Sequence, residues 1–157
     1  KRRGRWQYVP GARGIRAAVI IAIDEDDSGR HIILVDQCRV ALGRRCIELP
    51  AGLVGDETQG EDSSVAASRE LEEETGYKAG KCEFLLSIRT TVAFCNERID
   101  IFLAEDLVKG EQELDEDEYV DIVEYSLDEL LAMIDEGKIQ DSKTICALLA
   151  YYRRRNA

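Results

Sequence analysis

Histidine is nearly absent from this chain: His31 is the only one among 157 residues. A zinc site built from cysteine and histidine is thereby all but excluded. A Ser-His-Asp arrangement would rest on His31 alone, and nothing around it resembles a nucleophile elbow. No apolar run approaches the roughly 20 residues that a membrane helix needs, and no signal-peptide pattern opens the chain. The chain begins Lys1-Arg2-Arg3 without a methionine, and its natural start is expected upstream. The five cysteines (Cys38, Cys46, Cys82, Cys95, Cys146) are odd in number, scattered and without a C-x-x-C pair. That pattern argues against a disulfide framework and for a reducing, cytoplasmic setting. Repeats, low-complexity tracts and linkers are lacking too, so residues 1–157 read as one domain large enough to bury a core. Any hydrolytic chemistry must then run on carboxylates with hard metal ions.

What is present fits that demand. Apolar residues make up 45% and charged residues 34%, the balance of a soluble globular chain, and the net charge is −11. Such a charge disfavours a broad nucleic-acid surface, and no nucleic-acid or membrane partner is expected. It does not disfavour a small phosphorylated substrate, because Mg²⁺ or Mn²⁺ can stand between an acidic pocket and an anion. The basic clusters at residues 1–5 and 153–155 read as solvated tails.

Residues 14–23 end in a continuous apolar run of strand length, bounded by the turn-like stretch 24–29, and residues 31–35 form a second buried strand, so the pair reads as a hairpin. Residues 46–49 are short and extended, stopped by Pro50-Ala51-Gly52. After an acidic, glycine-containing loop at 53–61, Asp62 or Ser63 caps a helix to about Thr75, and Gly76 supplies a left-handed stop. Residues 83–90, 98–104 and 119–125 are strand candidates, with an acidic loop at 111–118. Ser126-Leu127-Asp128-Glu129 is a capping box opening a helix to Gly137. Asp141 caps the last helix, whose Ile145, Leu148, Leu149 and Tyr152 form a core-facing stripe. Strands in series with one central and two terminal helices imply an α/β fold, a mixed sheet with helices on both faces.

The central helix carries the chemistry. Ala66, Ala67 and Leu71 form a small apolar face, while Glu70, Glu73 and Glu74 fall at i, i+3, i+4 and project to one side. Like charges at that spacing repel, and Arg69, four residues before Glu73, offsets part of the repulsion. A solvated acidic face is the plain reading of such a cluster. Here, however, the cluster occupies the C-terminal end, where the helix dipole disfavours negative charge. Metal coordination would explain a placement that brings no stability.

Gly55, Glu61, Arg69-Glu70-Leu71, Glu73-Glu74 and Gly76-Tyr77 match the Nudix box, G-x5-E-x7-R-E-U-x-E-E-x-G-U with U apolar or aromatic. The chain therefore resembles a Nudix hydrolase, and the resemblance implies an α/β/α sandwich with a mixed β-sheet. It further implies that the helix carboxylates bind Mg²⁺, with Glu70 and Glu74 as direct ligands, Glu73 assisting and Arg69 organising the glutamates.

The flanks resemble the ADP-ribose pyrophosphatase branch, where a Q-x-R strand precedes an E-x-P-A-G turn; here these are Gln37-Cys38-Arg39 and Glu48 to Gly52. The resemblance makes Arg39 a contact for the substrate diphosphate, which suits a guanidinium fork. It makes the Ala51 carbonyl a metal ligand and Glu48 a contact to substrate or metal-bound water. The plain alternatives are a surface ion pair for Arg39 and a strand-end charge for Glu48. The branch places its box glycine directly after Pro-Ala. Gly52 is then the structural equivalent, and the stretch before Glu61 holds a three-residue insertion that leaves the role of Glu57 open.

Further along, the acidic stretch 115–118 matches the loop that supplies the catalytic base in that branch, with Glu116 and Glu118 as candidates and Glu118 preferred. Asn96 and Glu97 sit where the branch touches the terminal ribose. Trp6 begins a segment resembling an N-terminal strand (within residues 1–13) exchanged between subunits of a homodimer, where tryptophan stacks on adenine. Ordinary packing is the competing role for Trp6. Pro10 stands where the branch often has a basic residue.

The implied reaction is metal-dependent hydrolysis of ADP-ribose to AMP and ribose 5-phosphate. Other nucleotide sugars, dinucleoside polyphosphates and oxidised nucleotides are rival substrates. A non-catalytic ADP-ribose-binding module or a structural subunit is the rival of a different class; the intact carboxylate set speaks against both.

Overall fold

The run Ala18-Val19-Ile20-Ile21-Ala22-Ile23 is apolar at every position, which a strand tolerates only when both its faces are covered. In the computed structural model this run is the middle of the sheet. The structure describes residues 2–3, 6–7, 16–55, 60–114 and 119–157. In chain order the elements are β1 (Arg2–Arg3), β2 (Trp6–Gln7), β3 (Arg16–Asp26), β4 (Gly29–Arg39), β5 (Arg44–Glu48), β6 (Ala51–Leu53), α1 (Ser63–Thr75), β7 (Tyr77–Arg89), β8 (Arg98–Lys109), β9 (Val120–Tyr125), α2 (Leu127–Asp135) and α3 (Ser142–Arg155).

Strands β5-β4-β3-β8-β7 lie side by side, with β6 added to β3 and β9 to β4, making a mixed seven-stranded sheet. β3 and β8 run parallel, while β3 and β4 form the antiparallel hairpin that the sequence indicates. Because strand side chains alternate, β3 feeds two cores. Val19, Ile21 and Ile23 join Leu127 and Leu130 of α2 and Ala147, Leu148 and Tyr151 of α3. Ala18, Ile20 and Ala22 join Ala66, Ala67 and Leu71 of α1. The result is the α/β/α sandwich, with α1 on one face and α2 and α3 on the other. Alanines on both sides of the α1 interface let helix and sheet approach closely. β1 and β2 pair with each other within the chain, Arg3 opposite Trp6.

Several boundaries differ from the sequence expectation, each for a tertiary reason. The stop at Pro50 is brief: only Leu49 and Pro50 lie between β5 and β6, because Ala51–Leu53 re-enters the sheet opposite Ala17–Val19. β7 and β8 extend well past the stretches read from the sequence, since the ladder continues through pairs such as Lys81 opposite Glu105, which also form an ion pair at 3.2 Å. The stripe on α3 is also corrected. The buried face is Thr144, Ala147, Leu148 and Tyr151, whereas Leu149 and Tyr152 are 46% and 45% exposed. Both sets have the same i, i+3, i+4, i+7 spacing. The Thr144 hydroxyl decides between them: it accepts the buried amide of Leu49 and donates to Asp141, turning the helix one residue round.

α1 begins where Asp62 accepts the amide of Ser64 at 2.8 Å and ends at Gly76, with φ of 76°. Its first residue, Ser63, donates to Asp100 at 2.7 Å, a carboxylate only 2% exposed on β8. Asp100 also accepts from Ser87, Arg98 and Arg16. Burial alone would raise its pKa, but the hydrogen bonds from Ser87, Ser63 and Arg98 outweigh that and hold it at about 2. A folded-state pKa below the usual 3.8 contributes stability that is present above pH 4 and lost as pH falls toward 2. We expect Asp100→Asn to cost on the order of 2 kcal/mol at pH 7. In denaturant titrations the gap from the parent protein should close between about pH 4 and about pH 2; parallel curves through that range would refute the assignment.

Candidate active site

Three carboxylates at the end of one helix need a cation, and Arg69 is placed to serve. Its Nη1 lies 3.0 Å from both Glu70 and Glu73, and its Nε lies 3.4 Å from Glu61. Its Nη2 reaches the Leu53 carbonyl at 3.4 Å. Burial works against the guanidinium charge, but Glu61, Glu70 and Glu73 together raise its pKa above the usual arginine value. Glu61 in turn accepts the amide of Gly55 at 2.9 Å, which is the main reason its own pKa is lowered. Arg69 thus binds the loop before the helix to the helix itself.

Glu70 and Glu74, one turn apart, reach neighbouring residues of β6, Gly52 and Ala51 respectively. A Cβ on Gly52 would overlap the Glu70 carboxylate and push it aside, so glycine there leaves that carboxylate its place against the backbone. Glu74, 6% exposed, accepts the Ala51 amide at 3.2 Å. Gly52 is therefore the glycine that the helix carboxylate needs, as the Pro-Ala-Gly turn indicates. Gly55, with φ of 82°, makes the turn that offers its amide to Glu61. Among the described residues no three His, Cys, Asp or Glu side chains are grouped closely enough to hold an ion by themselves. The candidate ligands are two carboxylates and a carbonyl, an all-oxygen set of the kind that suits Mg²⁺ or Mn²⁺.

The C-terminal end of α1 is tied to the segment before β9. Gln112 donates to the carbonyls of Glu74 at 2.6 Å and Val120 at 3.1 Å, and the Glu113 amide donates to the Glu73 carbonyl at 2.9 Å. These bonds satisfy carbonyls that a helix end leaves without partners. Glu116, Glu118 and Glu57 lie outside the described residues, and so does the Trp6 side chain.

A cleft of about 670 Å³ runs from Ala51 and Gly52 past Arg39, Lys143, Glu97 and Phe94. Arg39 closes β4 and grips Glu48 with both arms of its fork, at 2.6 and 2.7 Å. It forms an ion pair, as in the plain alternative of the sequence reading, and it also lines this cleft. Glu48 is 3% exposed, so it is no solvated strand-end charge. Burial pushes its pKa up, but Arg39 and Lys143 more than reverse that. Glu97 accepts from Thr90 at 2.7 Å at the cleft wall. Asn96 is exposed and holds Arg89 through its backbone carbonyl. Lys143 and Gln112 were not legible in the sequence, where each is one polar residue among many.

A family model described as NUDIX domain matches residues 14–148. The chain is 38% identical over 141 residues to the ADP-ribose pyrophosphatase of Bacillus subtilis (strain 168), covering 88% of this chain and 70% of that protein. It is 43% identical over 134 residues to the methanol dehydrogenase activator of Bacillus methanolicus, covering 84% and 69%. A crystal structure of an ADP compounds hydrolase superposes with a TM-score of 0.78 at 26% identity, covering 92% of this chain and 73% of that one. With the helix, its glycine cradle and this match along most of its length, the chain belongs to the NUDIX family.

Proposed function

We infer that this protein is a metal-dependent pyrophosphohydrolase acting on a nucleoside diphosphate joined to a second group, with ADP-ribose as substrate and AMP and ribose 5-phosphate as products. The observation that carries the reading is the convergence of Glu70 and Glu74 on Ala51 and Gly52 at one end of a cleft walled by Arg39. The relatives named for ADP-ribose and ADP compounds support the choice of substrate.

In this reading Glu70, Glu74 and the Ala51 carbonyl hold Mg²⁺, or Mn²⁺ in its place. When bound, the cation supplies charge to offset the diphosphate and to acidify water. Glu73 assists, and Arg69 keeps Glu70 and Glu73 together with Glu61. Arg39 orients the phosphates, Glu48 holds Arg39, and Glu97 with Asn96 faces the terminal ribose. Glu118 or Glu116 takes a proton from water as its oxygen bonds to phosphorus, and the bridging oxygen departs with the other phosphate. Trp6 stacks on adenine in a homodimer that exchanges residues 1–13, and residues 1–157 act as one domain. Five unpaired cysteines support a reducing, cytoplasmic setting, and no helix among the described residues is long and apolar enough to cross a membrane.

Three outcomes are expected. In a panel of diphosphate-linked nucleotides with Mg²⁺, separated by chromatography, ADP-ribose yields AMP; folded protein that turns over no member of the panel would sink the reading. Glu74→Gln lowers kcat about a hundredfold or more while circular dichroism and melting temperature stay near those of the parent; full activity would break the metal assignment. Gly52→Ala, whose new methyl displaces Glu70, weakens metal activation by about ten- to a hundredfold. An unchanged metal-activation curve for that variant would mean that Glu70 does not need its cradle.

A further inference from the structure

Glu48 has two cationic partners, and the second is unexplained by the reaction. One carboxylate oxygen accepts Arg39 Nε, and the other accepts Arg39 Nη2 at 2.7 Å and Lys143 Nζ at 2.6 Å. Lys143 is the second residue of α3, in the first turn, where a helix's partial positive charge disfavours a cation. Within the helix, the N-cap carboxylate of Asp141 partners it, at 2.9 Å. Its place is firmly set. The next residue, Thr144, is fully buried and bonded to the Leu49 amide at 3.0 Å. The Lys143 side chain is 15% exposed. It lines the cleft with Arg39 and Ala51, and also a concavity of about 480 Å³ behind the Arg39–Glu48 pair.

Charge explains the arrangement. A carboxylate gripping one guanidinium in bidentate fashion cancels it, leaving Arg39 little attraction for an anion. A second cation on the same carboxylate restores a net positive charge to the three groups. Asp141, 2.9 Å from Lys143, takes back part of this charge, and the amide and hydroxyl of Thr144 at the positive end of α3 share its carboxylate, so the group keeps a fraction of a positive charge. In a chain of net charge −11 such local compensation matters for any phosphate.

We propose that Lys143 is a positioning residue for diphosphate binding: by sharing the Glu48 carboxylate it leaves Arg39 net charge to offer the phosphates. The inference rests on the reading that this cleft takes a diphosphate-linked nucleotide. Lys143→Met raises KM for ADP-ribose about tenfold, with a much smaller change in kcat, the scale of one partly screened charge near the phosphates. Lys143→Arg restores KM. In a Glu48→Gln background the same lysine substitution has less than about a twofold effect, because there is no carboxylate left to share.

Two readouts are independent of turnover. The Arg39 Nε–H resonance in a ¹⁵N spectrum shifts on Lys143→Met, and α,β-methylene-ADP with Mg²⁺ binds the variant more weakly by calorimetry. Lys143→Gln substitutes if the methionine variant does not fold. A lower melting temperature with unchanged KM and unchanged analogue affinity would overturn the proposal in favour of a purely structural lysine. Effects of Lys143→Met and Glu48→Gln that simply add would overturn it too. If the parent protein hydrolyses no diphosphate, the functional reading fails, while the Arg39 resonance still reports whether the carboxylate is shared.

Discussion

Electrostatic repulsion at the end of α1 is the constraint around which this molecule is built. Glu70, Glu73 and Glu74 crowd the helix terminus that least tolerates negative charge. Arg69 meets the problem by contacting Glu70, Glu73 and the more distant Glu61 from one largely buried guanidinium. That solution brings the Glu61 loop to the helix, and Gly55 then bonds to Glu61. The backbone of Ala51 and Gly52 completes the cluster from the other side. Local charge balance thus dictates where loop, helix and β6 must meet.

The rest of the fold holds this meeting point still. Ala18, Ala22, Ala66, Ala67 and Ala104 form a low-relief interface that seats α1 close to the sheet. At one end of the helix, Asp100 gathers Ser63, Ser87, Arg16 and Arg98. At the other, Gln112 and the amides of Gly110 and Glu113 cap carbonyls of Glu74, Gly76 and Glu73. A helix anchored at both ends can keep its carboxylates close to β6 despite their mutual repulsion. The opposite face does comparable work through Thr144, which docks α3 on the end of β5 and so carries Lys143 to Glu48. Asp100 and Glu48, buried carboxylates among the described residues outside the helix, are each satisfied by a pair of cations, as buried charge requires.

Much of this was open to a reader of the chain alone. The apolar run of β3, the Asp62 and Gly76 boundaries of α1 and the capping box at Ser126 each depend on neighbours a few residues away, and each stands as expected. The carboxylate cluster was legible for the same reason, because the helix repeat brings Glu70, Glu73 and Glu74 to one side, and the resemblance to the Nudix box then singled out Glu70 and Glu74 as candidate ligands. Expectations failed where hydrogen bonds between distant segments decide. The face of α3 is selected by Leu49, and the length of β7 by its pairing with β8.

The sequence by itself determined the chemistry on offer: carboxylates in quantity, almost no histidine, and a helix repeat that aligns three glutamates beside an arginine. It also determined which glycines stand near those glutamates. Tertiary structure alone decided which glycine the Glu70 carboxylate presses against, that Glu48 is buried, and that Lys143, 95 residues away, shares it with Arg39. The reason is physical. Spacing along a helix is set by the chain's own geometry, whereas the partner of a buried charge is set by whichever distant segment the folded core brings within hydrogen-bond reach.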